Sequence, residues 1–247
     1  MLSWKRAKLE NILERVIAVF ILSILSTAIL VFIYGGSASA FLGLFLGLWL
    51  ILGTIYEFLI KVGLKLSFHT FLKRSLQLPR SAYGMSLAHI GVAIFVIGVT
   101  VSSAWKIEIE QPIIKGEKVV INSIELKFLN INNVEGPNWI AERGEFEVVR
   151  LGKKKEFLYP ERRFYPASKI NTSEPAIMSN AFFDLYIVLG ESLNNDESYS
   201  LRVYYSPFIN WIWFGIMCMV LGGLLSVSDR KHRLGYSMKL NPETSNK

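Results

Sequence analysis

Leu201 to Arg233 reads LRVYYSPFINWIWFGIMCMVLGGLLSVSDRKHR. Its first residues are β-branched and aromatic, a strand-like run that turns at Ser206-Pro207. From Phe208 to Val227 the chain is then apolar for long enough to cross about 30 Å of hydrocarbon at roughly 1.5 Å per residue. Trp211 and Trp213 stand near the start of that helix, and Arg230, Lys231 and Arg233 stop its far end. An aromatic belt at one interface and a basic cluster at the other give the span a direction. A folded extramembrane segment is therefore joined directly to a membrane helix.

Outward from that stretch, the 247-residue chain is 51% apolar, the composition of a membrane protein. Three further windows are long enough to span: Val16 to Tyr34, Ala38 to Ile60 and Ala82 to Ala104. The first follows Lys5, Arg6 and Lys8 and precedes Ala38-Ser39-Ala40, so it invites comparison with a cleaved signal peptide. Its apolar core exceeds the roughly 7–15 residues usual for one, and a second apolar run begins at once. A retained helical hairpin turning at Gly35-Gly36-Ser37 is expected.

Between Trp105 and Ser206 lie 13 Lys/Arg and 15 Asp/Glu, leaving 14 basic and 5 acidic residues, a net of +9, everywhere else. Those basic residues flank the spans, at Lys5, Arg6, Lys8 and Arg15, at Lys61, Lys65, Lys73, Arg74 and Arg80, and at Arg230, Lys231 and Arg233. The positive-inside rule places both termini and the second loop on the cytoplasmic or matrix side and the long third connection opposite. A nucleic-acid role would need basic residues on one folded face, and here they line the membrane. The lone cysteine, Cys218, lies within the last helix, which excludes a disulfide framework and a cysteine metal site.

The expected organisation is a transmembrane hairpin over 1–63, an interfacial helix over 64–80 and a third span over 81–104. A β-rich exported domain follows over 105–206, then the final span and basic stop over 207–233 and a tail over 234–247. In the second loop Leu64, Phe68 and Leu72 recur at i, i+4, with Lys65, His69 and Lys73 on another face. That is a basic amphipathic helix suited to lipid headgroups. The exported segment carries six strand-like runs: WKIEIE, KVVI, IELKFLNI, EFEVVR, FFDLYIVLG and YSLRVYY. Turns are expected at Lys115-Gly116, Asn132-Asn133, Glu135-Gly136-Pro137-Asn138, Leu151-Gly152 and Leu193-Asn194-Asn195. The fold class is thus α-helical membrane protein with four spans and a small β sandwich or partly open barrel.

Of three histidines, His89 lies about 10 Å into the lipid at 1.5 Å per residue, a depth at which an imidazole must face protein or cofactor. Gly84, Gly91 and Gly98 form a stripe at intervals of seven on the same helix, roughly 140–160° round from His89 at 100° per residue. Two readings stand. Neutral imidazole is a haem ligand, and it is equally able to make an interhelical hydrogen bond. His69 and His232 read as solvated residues, and Met85 or Met217 would need weaker geometry to serve as a second ligand. Arg162 and Arg163 before Phe164-Tyr165 could meet a carboxylate, or be a solvated charge pair on a strand. Glu57 and Lys61 suit an i, i+4 ion pair. No paired catalytic carboxylates, Ser/His/Asp set or phosphate-cradling glycine loop is discernible, so no catalytic residue is assigned.

GMSLAHIGVAIFVIGV, then EGPNW, LYPERRFY, EPAIMSN and DLYIVLGE, then RVYYSPFINWIWFGIMCMVLGGLLSVSDRKHR, taken in order, resemble the C-terminal part of the CcmF/NrfE-type cytochrome c haem lyases. The resemblance implies that His89 ligates the iron of a membrane b-type haem whose other axial ligand comes from a partner chain. It implies a lyase that receives haem from a haem chaperone and joins its vinyl groups to the CxxCH thiols of apocytochrome c. The family's tryptophan-rich WWD segment and its flanking histidines are absent from these residues. The resemblance therefore implies the C-terminal subunit of a split lyase, incomplete alone, with an N-terminal subunit carrying that segment. The implied location is a bacterial plasma membrane or mitochondrial inner membrane. The rival expectation is a non-catalytic membrane scaffold with an exported docking domain, in which His89 is only a polar contact.

Overall fold

A computed structural model describes residues 9–63, 67–150, 155–193 and 198–229. The chain divides into a helical unit, from residues before 105 and from 211 onward, and a β unit, Trp105–Asn210.

The helical unit contains α1 (Leu9–Tyr34), α2 (Ala38–Val62), α3 (Phe68–Leu76), α4 (Arg80–Ala104) and α5, which runs Ile209–Val227. Four of these, all but α3, are long and apolar enough to cross a membrane. The Gly35-Gly36 break between α1 and α2 has positive φ at both glycines, 70° and 157°, and the Ser37 hydroxyl accepts from Ala40 N to cap α2. In a bilayer the helices cannot be driven together by burial from water, so contact depends on close backbone packing. Here that contact is built from glycine on both sides. A Cβ on Gly91 would stand 2.7 Å from Gly215 O and Met219 N, and a Cβ on Gly215 would stand 2.7 Å from Gly91 O. Gly84 meets Gly222 O and Ser226 in the same way, and Gly98 meets Ile212, so α4 and α5 run antiparallel. Cys218 is buried as one of the small residues in this seam.

α2 packs on α4 through Gly43 against Thr100 and Gly47 against Ile97 and Ala93, and α1 packs on α2 through Phe20 against Phe45 and Trp49. The hydroxyls of Ser23, Thr27, Thr54 and Thr100 each donate to the carbonyl four residues back, which satisfies them without a partner helix. At the start of α4, Ser81 N donates to Asp229 Oδ2 at 3.0 Å, a carboxylate on a helix N-terminus. Glu57 and Lys61 pair at 2.9 Å. In α3, His69, Leu72, Lys73, Arg74 and Leu76 are all exposed.

The β unit is a sandwich of antiparallel strands. One sheet orders β1 (Ile107–Ile114), β10 (Ser198–Pro207), β9 (Phe183–Ser192) and β8 (Ala176–Ser179). The other orders β2 (Lys118–Ile121), β3 (Ile124–Glu135), β4 (Ile140–Arg150), β6 (Glu161–Tyr165) and β7 (Ile170–Glu174), with β5 (Glu156–Leu158) also on β4. Alternation supplies the core: Ile124, Leu126 and Phe128 from β3 meet Phe146 and Val148 from β4, and Leu185, Ile187, Leu189, Leu201 and Val203 close from the other sheet. Phe128 and Phe146 stack at 4.9 Å.

The expected turn at Asn132-Asn133 is corrected by the structure. Both residues lie within β3, opposite Arg143 and Glu142, and the hairpin turns through 136–139, at the expected Glu135-Gly136-Pro137-Asn138 turn. A register shift between Phe128 and Asn130 lets β3 continue past this point in pairing with β4. Gly116, with φ 87°, does turn the chain at Lys115-Gly116. The turns at Leu151-Gly152 and at Asn194-Asn195, like the basic stop and the tail, lie outside the described residues.

A valine at Gly91 has only backbone to displace, so Gly91→Val should cost about 3 kcal/mol or more. Gly223 has open space around it, so Gly223→Ala on α5 should cost nothing. Thermal denaturation of the detergent-solubilised chain, read by tryptophan fluorescence, separates the two. Equal midpoints would refute the glycine seam.

Candidate functional site

The glycine seam determines what His89 can face. With Gly84, Gly91 and Gly98 turned to α5 and Ala93, Ile97 and Thr100 turned to α2, the remaining face of α4 carries His89, Val92, Val99 and Ser103, all exposed. The imidazole therefore points away from the packed seam, among apolar neighbours on its own helix. Its Nδ1 lies 2.7 Å from Met85 O, one turn earlier. A carbonyl only accepts, so Nδ1 carries the proton and donates. In the neutral form such a ring presents Nε2 as a lone pair. That is the tautomer and orientation of a metal-ligating imidazole held by a backbone acceptor.

No second ligand is assembled beside it among the described residues, which include no group of three or more His, Cys, Asp or Glu able to hold a metal. Met85 lies on the same helix face one turn away, so its side chain leaves α4 on the same side as the imidazole. Met217 is exposed on α5, two residues past the Gly215 that meets α4, and so turns away from the seam. His69 is exposed on α3. His232 lies outside the described residues.

In the β unit the two arginines singled out from the sequence are already engaged. Arg163 donates to Glu161 Oε2 at 2.8 Å from Nε and lies 4.3 Å over the Trp139 ring. Arg143, directly opposite Glu161 on β4, donates to Oε1 at 2.6 Å. Arg162, on the other face of β6, holds Glu191 at 2.9 Å and stands 3.6 Å from Glu142. Burial pushes the Glu161 carboxyl up, but hydrogen bonds and charge from Arg163 and Arg143 outweigh it and hold it below the usual carboxylate range. Pairing across strands, which the sequence order does not show, makes these residues structural.

Two polar clusters were not read from the sequence. Asn210 Nδ2 donates to Ser179 Oγ, Asn180 O and Asp184 Oδ1, with Ser179 Oγ donating to Asp184 at 2.6 Å. The other is the Asp229 cap on α4, for which the only sequence signal was an acid beside a basic stop.

Four apolar helices of spanning length and a β sandwich together describe an α-helical membrane protein with a β-rich domain, and comparison with known proteins supplies its family. Residues 104–207 match the family described as CcmF C-terminal beta-sandwich. Over 97% of its length the chain is 34% identical to the cytochrome c-type biogenesis protein CcmF of Haemophilus influenzae, covering 37% of that protein. It is 31% identical to the Escherichia coli K12 CcmF over 98% of its length and 36% of that protein. A solved structure of cytochrome c haem lyase CcmF shares its fold, with TM-score 0.65 and 20% identity over 92% of this chain and 36% of that one. The chain belongs to the CcmF/NrfE family and corresponds to its C-terminal portion. It spans about a third of the length of these relatives.

Because the Glu161 carboxyl is depressed in the folded state, its contribution to stability is complete above the unfolded value near pH 4.3 and is lost as pH falls through the folded value. Glu161→Gln should lower stability at pH 7 by about 1–3 kcal/mol and flatten that acid dependence. Urea midpoints of both proteins between pH 7 and pH 3 test this. Parallel curves would remove Glu161 from the account.

Proposed function

We propose that this chain acts in cytochrome c maturation as the C-terminal portion of a haem lyase, with His89 supplying one axial ligand to a b-type haem held in the membrane. The observation that carries the reading is the Nδ1–H bond from His89 to Met85 O, which leaves Nε2 as an outward donor on an apolar helix face. The residues present fit such a group. A haem is a flat apolar ring that needs a neutral imidazole and an unoccupied face of its own width, and Val92 and Val99 border that face. A haem bound there would supply reducing electrons near the site of attachment.

The work of this chain's own residues is then positional. The carbonyl of Met85 fixes the ring and its tautomer, and the glycine seam keeps α4 and α5 together on the side of α4 away from His89. The second axial ligand and the tryptophan-rich haem-handling segment belong, on this reading, to an N-terminal partner. The partner would also receive haem from a haem chaperone. The reaction served is addition of each CxxCH thiol of apocytochrome c across a vinyl group of the haem being attached. The β unit is assigned to docking apocytochrome or partner subunits. Arg80, with Lys73 and Arg74 on the exposed face of α3, supports an orientation with both termini on the cytoplasmic or matrix side. α3 then lies at the lipid headgroups.

The test is a reduced-minus-oxidised spectrum of the chain purified with its candidate N-terminal partner. Wild type should show a b-type signal, His89→Ala should lose nearly all of it, and added imidazole should restore part of it to His89→Gly. A stable complex with no haem in any version would favour the scaffold reading.

A further inference from the structure

Beyond the apolar core of the sandwich, the inward face of the second sheet continues for two more transverse rows of side chains. The register places Glu135, Ile140, Phe164 and Asn171 in one row, and Asn133, Glu142, Arg162 and Ser173 in the next. These rows share a face with Phe128 and Phe146 because the register shift in β3 is completed before Ile131. All of these except Ser173 line an open cavity of about 530 Å³. Ile140 and Phe164, directly paired across strands, are left 47% and 39% exposed in the middle of the first row.

The charges around this apolar pair do not balance. Glu142 and Glu191 share one guanidinium, that of Arg162, while Glu135 lines the same cavity with no ion pair among the described residues. Arg162 bonds Glu191 at 2.9 Å and stays 3.6 Å from Glu142, whose shielded Oε2 has no hydrogen-bond partner. A carboxylate left short of donors, beside a second one at Glu135, attracts a cation. Asn133 and Asn171 stand at opposite corners of the platform, and their side-chain amides can both donate to and accept from a peptide backbone. An unroofed, mixed surface of this kind suits a chain laid across it better than an enclosed small molecule, which needs most of its area covered.

We infer that this cavity docks an extended segment of a partner polypeptide in which a bulky apolar side chain, seated on Ile140 and Phe164, lies beside a lysine or arginine that pairs with Glu142 and Glu135. The inference rests on the docking role proposed above for the β unit, and it is independent of His89.

The full chain in phosphatidylcholine nanodiscs, which carry no net charge, is titrated with a labelled peptide of alternating Lys and Leu flanked by Gly, read by fluorescence anisotropy. Saturable binding should weaken at least tenfold in the Glu135→Gln/Glu142→Gln double variant and several-fold in Phe164→Ala. Glu108→Gln, an exposed carboxylate on β1, should leave it unchanged. A peptide with Ser replacing Leu should bind at least tenfold more weakly. Unchanged binding by the double variant, equal binding of the Ser peptide, or no binding at millimolar peptide would each overturn the inference. Apocytochrome or partner subunits still co-purifying with the double variant would show that docking survives and that this cavity is not its site. Thermal midpoints and the b-type spectrum of the double variant should match wild type, which excludes misfolding as the cause.

Discussion

The contact between α4 and α5 is the constraint on which the helical unit depends. Lipid offers no hydrophobic reward for bringing two apolar helices together, so the association rests on backbone approaching backbone. Gly91 and Gly215 each stand where a side chain on the other would collide with a carbonyl. The seven-residue spacing of Gly84, Gly91 and Gly98 is matched by Gly215 and Gly222, the period that keeps two helices in register along their length. Once that face is committed to α5 and the neighbouring face to α2, the orientation of His89 follows. The imidazole is left on a face of α4 that is exposed among the described residues.

The β unit obeys a different physics and solves a different problem. Its core closes by alternation, with Phe128 on Phe146 and a wall of Leu, Ile and Val from the opposite sheet. Past the core its strands continue, and cross-strand pairing there replaces burial as the organising force. Glu161 lies between Arg143 and Arg163 on one face, and Glu142 lies beside Arg162 on the other. The first set is fully partnered and stabilises the sheet. The second is short of positive charge, and it faces the open cavity.

Much of this was legible in the chain itself. The four apolar windows appear as helices, and the Glu57–Lys61 pair forms as its spacing requires. The six strand-like runs correspond to β1, β2, β3, β4, β9 and β10. Four strands were missed: EFL, ERRFY, INTSE and AIMS. Each is at most five residues long, and two of them are polar or charged, so neither alternation nor propensity marks them. They are strands because β4 presents backbone to EFL and ERRFY, β9 to AIMS, and ERRFY in turn to INTSE. The Asn132-Asn133 pair misled in the opposite sense, since amide side chains that favour turns were held extended by eleven paired positions along β3 and β4.

What the sequence by itself determined is set by composition and period: the membrane spans, the β-rich insert, the charge asymmetry and the isolation of His89 at depth. These are properties of residues relative to solvent or lipid, and they need no partner to be read. Only the tertiary structure decided which glycines meet, which residues of α4 remain exposed, and that Met85 O accepts the Nδ1–H hydrogen bond so that Nε2 is left as a lone pair. Only it brought Arg143 to Glu161 and set Ile140 beside Phe164. Such facts depend on rotation about a helix axis and on strand register, where a shift of one residue turns a side chain to another face. That choice is made by the packing of distant segments, and no single stretch of the chain contains it.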